Sequence, residues 1–287
     1  MSEQEKRLYD DVYFLTSLQP PRNYLNTGPL GIAAGYISKS LEESGYMVTE
    51  QGWMFSEIEY KNILASYRPD KKRRLIVGAH YDVAGDQPGA DDNASGIAGL
   101  LETARLVMMH KPDLDFGIDF VAYCLEEPPF FGTTTMGSYV HAKSLHDSNT
   151  EVAGMICYEM IGYFSDKRGS QTYPFPELYS IYPSKGNFIV VVGIDEHEEF
   201  NTKIYKLMSS KSKIDVQKFS FPDAEGEAGK SDQRNYWKFG YKAVMINDTS
   251  YLRNNNYHLE SDTIDTLNFE KMAAVVNSTF NAINGFD

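Results

Sequence analysis

Apolar positions along the chain repeat with two periods. Residues 1–18 and 30–45 place them at helical spacing, the second stretch running out near Gly45. Two β-rich segments follow, MVTEQGWMF (47–55) and YKNILASYR (60–68), and the short break between them predicts an antiparallel pair. PDKKRR (69–74) is a solvated polar turn. Compact apolar runs then recur at RLIVGAHYD (74–82), DFGIDFVAYCLEE (115–127), EVAGMICYEMIG (151–162), NFIVVVGI (187–194) and YKAVMIND (241–248). Amphipathic stretches separate several of them, at 93–110 and near 136–147, 196–210 and 268–284.

Continuous apolar strands alternating with helices predict an α/β three-layer sandwich, with a mostly parallel, mixed central sheet and helices on both faces. No repeat, low-complexity tract or Pro/Ser linker divides the chain, so residues 1–287 read as one domain. The segment 220–232, SFPDAEGEAGKSD, is rich in Gly and charge and predicts a mobile loop at the mouth of a site. Ser231 and Asp232 are expected to cap a helix beginning near Gln233.

Composition narrows the function classes. Twenty-seven Lys and Arg stand against 40 Asp and Glu, a net charge of -13 that repels phosphate backbones and argues against nucleic acid as a partner. The N-terminus is charged and carries no apolar leader-like stretch, and no apolar run is long enough to span a membrane. A cytoplasmic protein without a membrane partner is the expectation. The two cysteines, Cys124 and Cys157, lie inside apolar runs and read as buried thiols.

In open α/β sheets, ligands bind at the carboxyl ends of the strands. The acidic and imidazole side chains of this chain collect there. His80 and Asp82 close the 74–82 strand, Asp91 and Asp92 lie in the next loop, Glu126 and Glu127 end a core strand, Glu159 ends another, and His258 follows the last. Each has a bland reading alone, as a cap, a satisfied histidine or a solvated pair. Adjacent glutamates after VAYCL are not solvated, however, and two carboxylates at the end of a buried strand repel each other unless a cation sits between them. Histidine nitrogen with carboxylate oxygen suits a catalytic zinc. His80 and Asp82 share one face of the strand, so Asp82 is expected to accept the second imidazole N–H of His80 and orient it.

Five motifs in order, GAHYD (78–82), PGADDNASG (88–96), LEE (125–127), EMIG (159–162) and YHLESDT (257–263), resemble the co-catalytic di-zinc aminopeptidase family, which is related to glutaminyl cyclases and glutamate carboxypeptidases. The resemblance covers about residues 75–265. It implies a metallo-aminopeptidase acting on peptides with a free N-terminus. One zinc would be held by His80, Asp92 and Glu159 and the other by Asp92, Glu127 and His258, with Glu126 as the general base. It also implies a cis bond between Asp92 and Asn93. Glu159 stands where simpler members have Asp, which leaves either one or two metals open. PPFFGTTTMG (128–137) replaces a shorter turn, so Phe130 and Phe131 are candidates for a pocket wall as well as for packing. Tyr251, Arg253 and Tyr257 flank His258 as candidate substrate contacts. A glutaminyl cyclase is the alternative, although that class lacks the acidic ADDNASG pattern; a dipeptidase or carboxypeptidase would use the same motifs.

Overall fold

The computed structural model describes residues 1–286. Its strands are β1 (Val48–Phe55), β2 (Ile58–Tyr67), β3 (Arg73–His80), β4 (Gly117–Tyr123), β5 (Glu151–Glu159), β6 (Phe188–Ile194), β7 (Asp215–Phe221) and β8 (Ala243–Asn247). They form a single sheet in the order β1-β2-β4-β3-β5-β8-β6-β7. The helices are α1 (Glu3–Thr16), α2 (Thr27–Glu43), α3 (Gly96–His110), α4 (Gly137–Asp147), α5 (Glu198–Ser209), α6 (Gln233–Lys238) and α7 (Phe269–Asn284). Among the described residues no helix is long and apolar enough to cross a membrane.

The four middle strands, β4, β3, β5 and β8, run parallel, as do β6 and β7. The β1–β2 hairpin, the β2–β4 pairing and the β6–β8 pairing are antiparallel, giving the mixed α/β sheet that the sequence predicts. One strand escapes the apolar pattern. β7 reads DVQKFSF, mixes charge with aromatics and lies at the sheet edge, where most of its side chains are only half covered.

Side-chain alternation assigns each strand residue to a face. Leu75, Val77 and Ala79 of β3 and Ile156 and Tyr158 of β5 enter the larger core, beneath α1, α2, α3, α5 and α7. Ile76, Met155 and Cys157 face the smaller core, beneath α4 and α6. The helix that follows β3 thus lies on one face and the helix that follows β4 on the other. Chain direction diverges between neighbouring β3 and β5, which opens a crevice at their carboxyl ends. Both cysteines are buried and free, and β3 runs between the segments that carry them.

The N-terminal segment is fastened to this frame by charge. Arg7 of α1 donates to Glu102 of α3 at 2.6 and 2.9 Å, and Arg105 of α3 donates back to Asp11 at 2.7 Å. Asp11 and Glu102 are both buried; Arg105 also reaches Glu102 at 3.4 Å, so removing Arg105 would take the cation from Asp11 and weaken the pairing of Glu102.

Phe120 on β4 is fully buried and packs edge-on against Tyr46. Phe120→Ala is expected to cost about 3–5 kcal/mol, read by urea unfolding. A loss below about 1 kcal/mol, the scale of a surface substitution, would contradict this packing.

Candidate metal centre

Strand ends and two loops deliver the polar side chains to the crevice. His80 is the last residue of β3 and Glu159 the last of β5. Glu159 shares strand parity with Met155 and Cys157, and His80 with Ile76, so both point to the α4/α6 face. Glu126 and Glu127 follow β4 through Leu125, whose φ of 62° turns the chain sharply. Asp82 orients that pair: its carboxylate accepts from the backbone N–H of Glu126 at 3.1 Å and of Glu127 at 3.2 Å.

Asp92 lies in a tight turn, Ala90–Ser95, where Asp92 and Asn93 leave helical dihedrals and share a cis peptide bond. Asp262 accepts from the backbone N–H groups of Asp91 and Asp92 at 2.9 and 3.1 Å. Asn93 donates its amide to the Tyr158 carbonyl and accepts from the Met160 N–H, each at 3.0 Å, which stitches the turn to the end of β5.

Four contacts define the arrangement. His80 Nε2 lies 3.3 Å from Asp92 Oδ1 and 3.2 Å from Glu159 Oε2. His258 Nε2 lies 3.0 Å from Asp92 Oδ2 and 3.4 Å from Glu127 Oε2. The two oxygens of Asp92 therefore belong to two separate clusters. In each, one ligand-capable atom per residue lies within 4.8 Å of the others, and His80, Glu126 and Glu127 make a third such group.

All but His258 of these side chains are buried. Glu127 Oε1 and His258 Nε2 have no hydrogen-bond partner, orphaned polar atoms of the kind a cation satisfies. The electrostatics agree. Burial, reinforced by Asp92, pushes Glu127 up to about 8. Burial raises Glu126 and Glu159 as well, against opposition from His80. The imidazoles go up despite burial: Glu159 and Glu126 raise His80, while the adjacent Asp92 and Glu127 carboxylates carry His258 to about 10. Asp92 moves down, burial being outweighed by the two histidines. Without a metal, protons take the place of positive charge.

The seven candidate ligands and catalytic groups, His80, Asp82, Asp92, Glu126, Glu127, Glu159 and His258, meet in this one crevice. Several finer expectations fail. Asp82 Oδ1 stands 3.5 Å from His80 Nδ1, which makes no aligned hydrogen bond; the carboxylate is instead directed at the Glu126 and Glu127 amides. Ser231 and Asp232 do not cap α6. Ser231 donates to Glu159 Oε2 at 2.5 Å, and both oxygens of buried Asp232 lack partners. Of the two readings left open for Phe130 and Phe131, the contacts favour packing: Phe130 lies among Tyr24, Phe55 and Tyr60, and Phe131 covers the Arg234 guanidinium. Arg253 is buried and donates to Gln171 and to the Phe188 carbonyl, both at 2.9 Å.

A cleft opens beside Glu159 on the same face of the sheet. Phe188, Val190 and Val192 of β6, Phe219 and Phe221 of β7 and Met245 of β8 form its walls, Tyr251 and Tyr257 stand at one side, and it holds about 890 Å³ of space including its mouth. Glu227 and Lys230, from the loop expected at a site mouth, line it too. Tyr257 stacks on His258 with ring centroids 3.8 Å apart.

Residues 62–283 match the model of peptidase family M28. The chain belongs to that family. Over 280 residues it is 42% identical to the uncharacterized protein YfbL of Escherichia coli, covering 95% of this chain and 85% of that one. A probable leucine aminopeptidase of Arthroderma otae is 25% identical over 250 residues, 82% of this chain and 59% of its own length. Among solved structures, the glutaminyl cyclase of Porphyromonas gingivalis superposes with a TM-score of 0.73 at 18% identity, each chain fully covered, so it shares the α/β fold. The M28 chain is thus a peptidase-family protein whose fold also serves cyclases.

The supporting roles of Ser231, Asp262 and Asn93, which hold the candidate ligands in place, go beyond the sequence expectations, which are a cap for Ser231, only the cis bond for Asn93 and no role for Asp262. Asp262 and Asn93 lie inside quoted motifs, but nothing in their spacing distinguishes a support from a ligand.

The pKa directions predict how the metal-stripped protein responds to pH. Asp262 is raised to about 8 by burial and Asp91, Glu127 to about 8, and His258 to about 10. A group whose folded pKa exceeds its unfolded value binds more protons when folded, so its stabilising contribution is complete below the unfolded pKa and lost through the folded one. Chelator-treated protein should therefore lose stability as pH rises from about 4 through about 8, toward 10. The urea midpoint should be lower at pH 8 than at pH 5, and a midpoint that rises over this interval would contradict the assignment.

Proposed function

We propose that the chain is a zinc-dependent aminopeptidase that hydrolyses the first peptide bond of substrates with a free amino terminus. The observation that carries this reading is Asp92, whose two oxygens face two different histidine–carboxylate clusters. His80, Asp92 and Glu159 would hold one ion, and Asp92, Glu127 and His258 a second. Imidazole nitrogen with carboxylate oxygen is the donor set of catalytic zinc. Zinc supplies Lewis acidity toward the scissile carbonyl and makes water acidic enough to react near neutral pH.

The chain's own residues account for the remaining steps. Glu126 is buried, its Oε2 lies 3.9 Å from His80 Nε2, and burial holds its carboxyl well above the usual range. It takes the proton of the attacking water and delivers it to the departing amine, a role suited to an acid that exchanges protons closer to neutrality. Asp82 holds Glu126 in position through the backbone amide. The apolar cleft receives the first side chain, which favours large aliphatic or aromatic residues.

Unblocked peptides should release free amino acids in an activity lost to chelation and restored by zinc. Peptides beginning with Leu, Phe or Tyr should exceed those beginning with Gly or Asp by at least about 10-fold in kcat/KM, since each buried methylene contributes about 0.8 kcal/mol. Equal cleavage of N-acetylated peptides would rule out action at the amino end. Conversion of N-terminal glutamine to pyroglutamate without hydrolysis would move the assignment to a cyclase. Glu126→Gln should retain zinc while kcat falls about 10²–10⁴-fold; unchanged turnover would remove Glu126 from the mechanism.

A further inference from the structure

Residues 1–61 precede the stretch matched by the family model, yet one side chain from them reaches the backbone behind the metal cluster. Arg22 is 1% exposed and forms no hydrogen bond to a carboxylate. Its guanidinium donates only to main-chain carbonyls: Nε to Tyr81 at 2.8 Å, Nη1 to Pro88 at 2.5 Å and to Leu15 at 3.2 Å, and Nη2 to Gly89 at 2.8 Å. Leu15 lies in α1, itself tied to α3 by the Arg7–Glu102 and Arg105–Asp11 pairs. The other three carbonyls lie on the irregular loop between β3 and the turn before α3. Asp82 stands at one end of that loop and Asp92 just beyond the other.

The Tyr81 and Pro88 carbonyls take no backbone N–H, so a side chain supplies their donor, while the Gly89 carbonyl is shared between Arg22 and the Ala94 N–H at 3.1 Å. Asn23 adds a fourth tie by donating to the Gly85 carbonyl at 2.9 Å. The loop is also tightly folded beside Arg22. A Cβ at Gly89, where φ is 62°, would lie 2.3 Å from the Asp92 carbonyl oxygen and 3.2 Å from Arg22 Nη2. Asp262, Asp82, Asp92 and Glu127 all act electrostatically on the guanidinium, which burial lowers to about 10 and which therefore keeps its charge at neutral pH. Arg22 thus combines a planar fork that clasps the outside of the loop with a fixed positive charge behind the carboxylates that line its inside. Lysine cannot reproduce this, because a point ammonium has no fork geometry.

We propose that Arg22 is a positioning residue of the metal centre: by clasping the 81–89 backbone it sets where Asp82 and Asp92 stand, so the segment ahead of the family-matched stretch is part of the working site. The proposal rests on the metal-binding reading above and does not depend on which peptide is cleaved.

Zinc affinity, measured by competition with a chromophoric chelator, tests it. Arg22→Lys should lower zinc affinity about 10–100-fold, the range seen when residues supporting metal ligands are changed. Ile283→Ala, which opens a cavity in the remote helix α7, should lose stability and keep wild-type zinc affinity. Arg22→Ala should bind zinc more weakly still and regain affinity when guanidinium ion is added at non-denaturing concentration. Wild-type zinc affinity in Arg22→Lys, or equal losses in Arg22→Lys and Ile283→Ala, would overturn the proposal. If Arg22→Ala does not fold, Arg22→Lys decides alone. A wild-type chain that binds zinc without releasing amino acids would sink the aminopeptidase reading and leave Arg22 standing; one that binds no divalent metal would overturn both.

Discussion

Carboxylates brought together out of water repel one another, and the structure is organised around that repulsion. Asp92, Glu126, Glu127 and Glu159 are each no more than 7% exposed, and Asp82 and Asp262 are buried behind them. At an effective dielectric of about 20, like charges 4 Å apart cost about 4 kcal/mol. No domain of ordinary stability retains several such pairs without positive charge in their midst. Two imidazoles supply part of it when protonated and a metal would supply more. The geometry of Asp92, one oxygen toward each imidazole, is the arrangement in which a single carboxylate serves two cations.

The parts of the crevice that do not face a cation divide the remaining task. Asp82 spends both oxygens on the Glu126 and Glu127 amides, and Asp262 spends both on those of Asp91 and Asp92. A carboxyl group that accepts from backbone N–H groups has hydrogen-bond partners for its oxygens and holds the chain that carries its neighbours. Asp91 follows the same pattern, accepting from the Gly162 N–H at 2.9 Å and from Asn254 at 2.8 Å. These acids thus sort by partner: Asp82, Asp262 and Asp91, aimed at main-chain amides or an amide side chain, build the frame, and Asp92, Glu127 and Glu159, in contact with imidazoles, face the centre.

This sorting explains what was legible in the sequence. The strands of the middle sheet were, because burial on both faces demands continuous apolar runs. So were the seven residues of the crevice, because strand ends in an α/β sheet converge and an acid after a buried run has few innocent explanations. β7 was not: at a half-covered edge, DVQKFSF can mix Lys and Gln with Phe. The task of Ser231 was also hidden. A Ser-Asp pair before a helix has the pattern of a cap, and only the fold shows that its hydroxyl is taken by Glu159. Arg22 carried no signal at all, since its partners are carbonyls, which every residue possesses.

The metal cluster and the apolar cleft belong together for a topological reason. Glu159 ends β5, and Asn247 ends the adjacent parallel strand β8 and donates to the Glu159 carbonyl at 2.6 Å. On the far side of β8 the direction reverses into antiparallel β6, whose Phe188, Val190 and Val192 turn toward the same face as Glu159. Helices α4 and α6 pack over β2, β5 and β8 on that face, while Tyr173, Leu178 and Tyr182 line the cleft over β6 and β7 and leave its space beside Glu159. The acidic crevice and the apolar cleft then share one strand, β8, as a common wall. On the proposed aminopeptidase reading, a substrate whose scissile bond lay at the carboxylates would present the neighbouring side chain to Met245 and the β6 valines, coupling what is recognised to where the bond is cut.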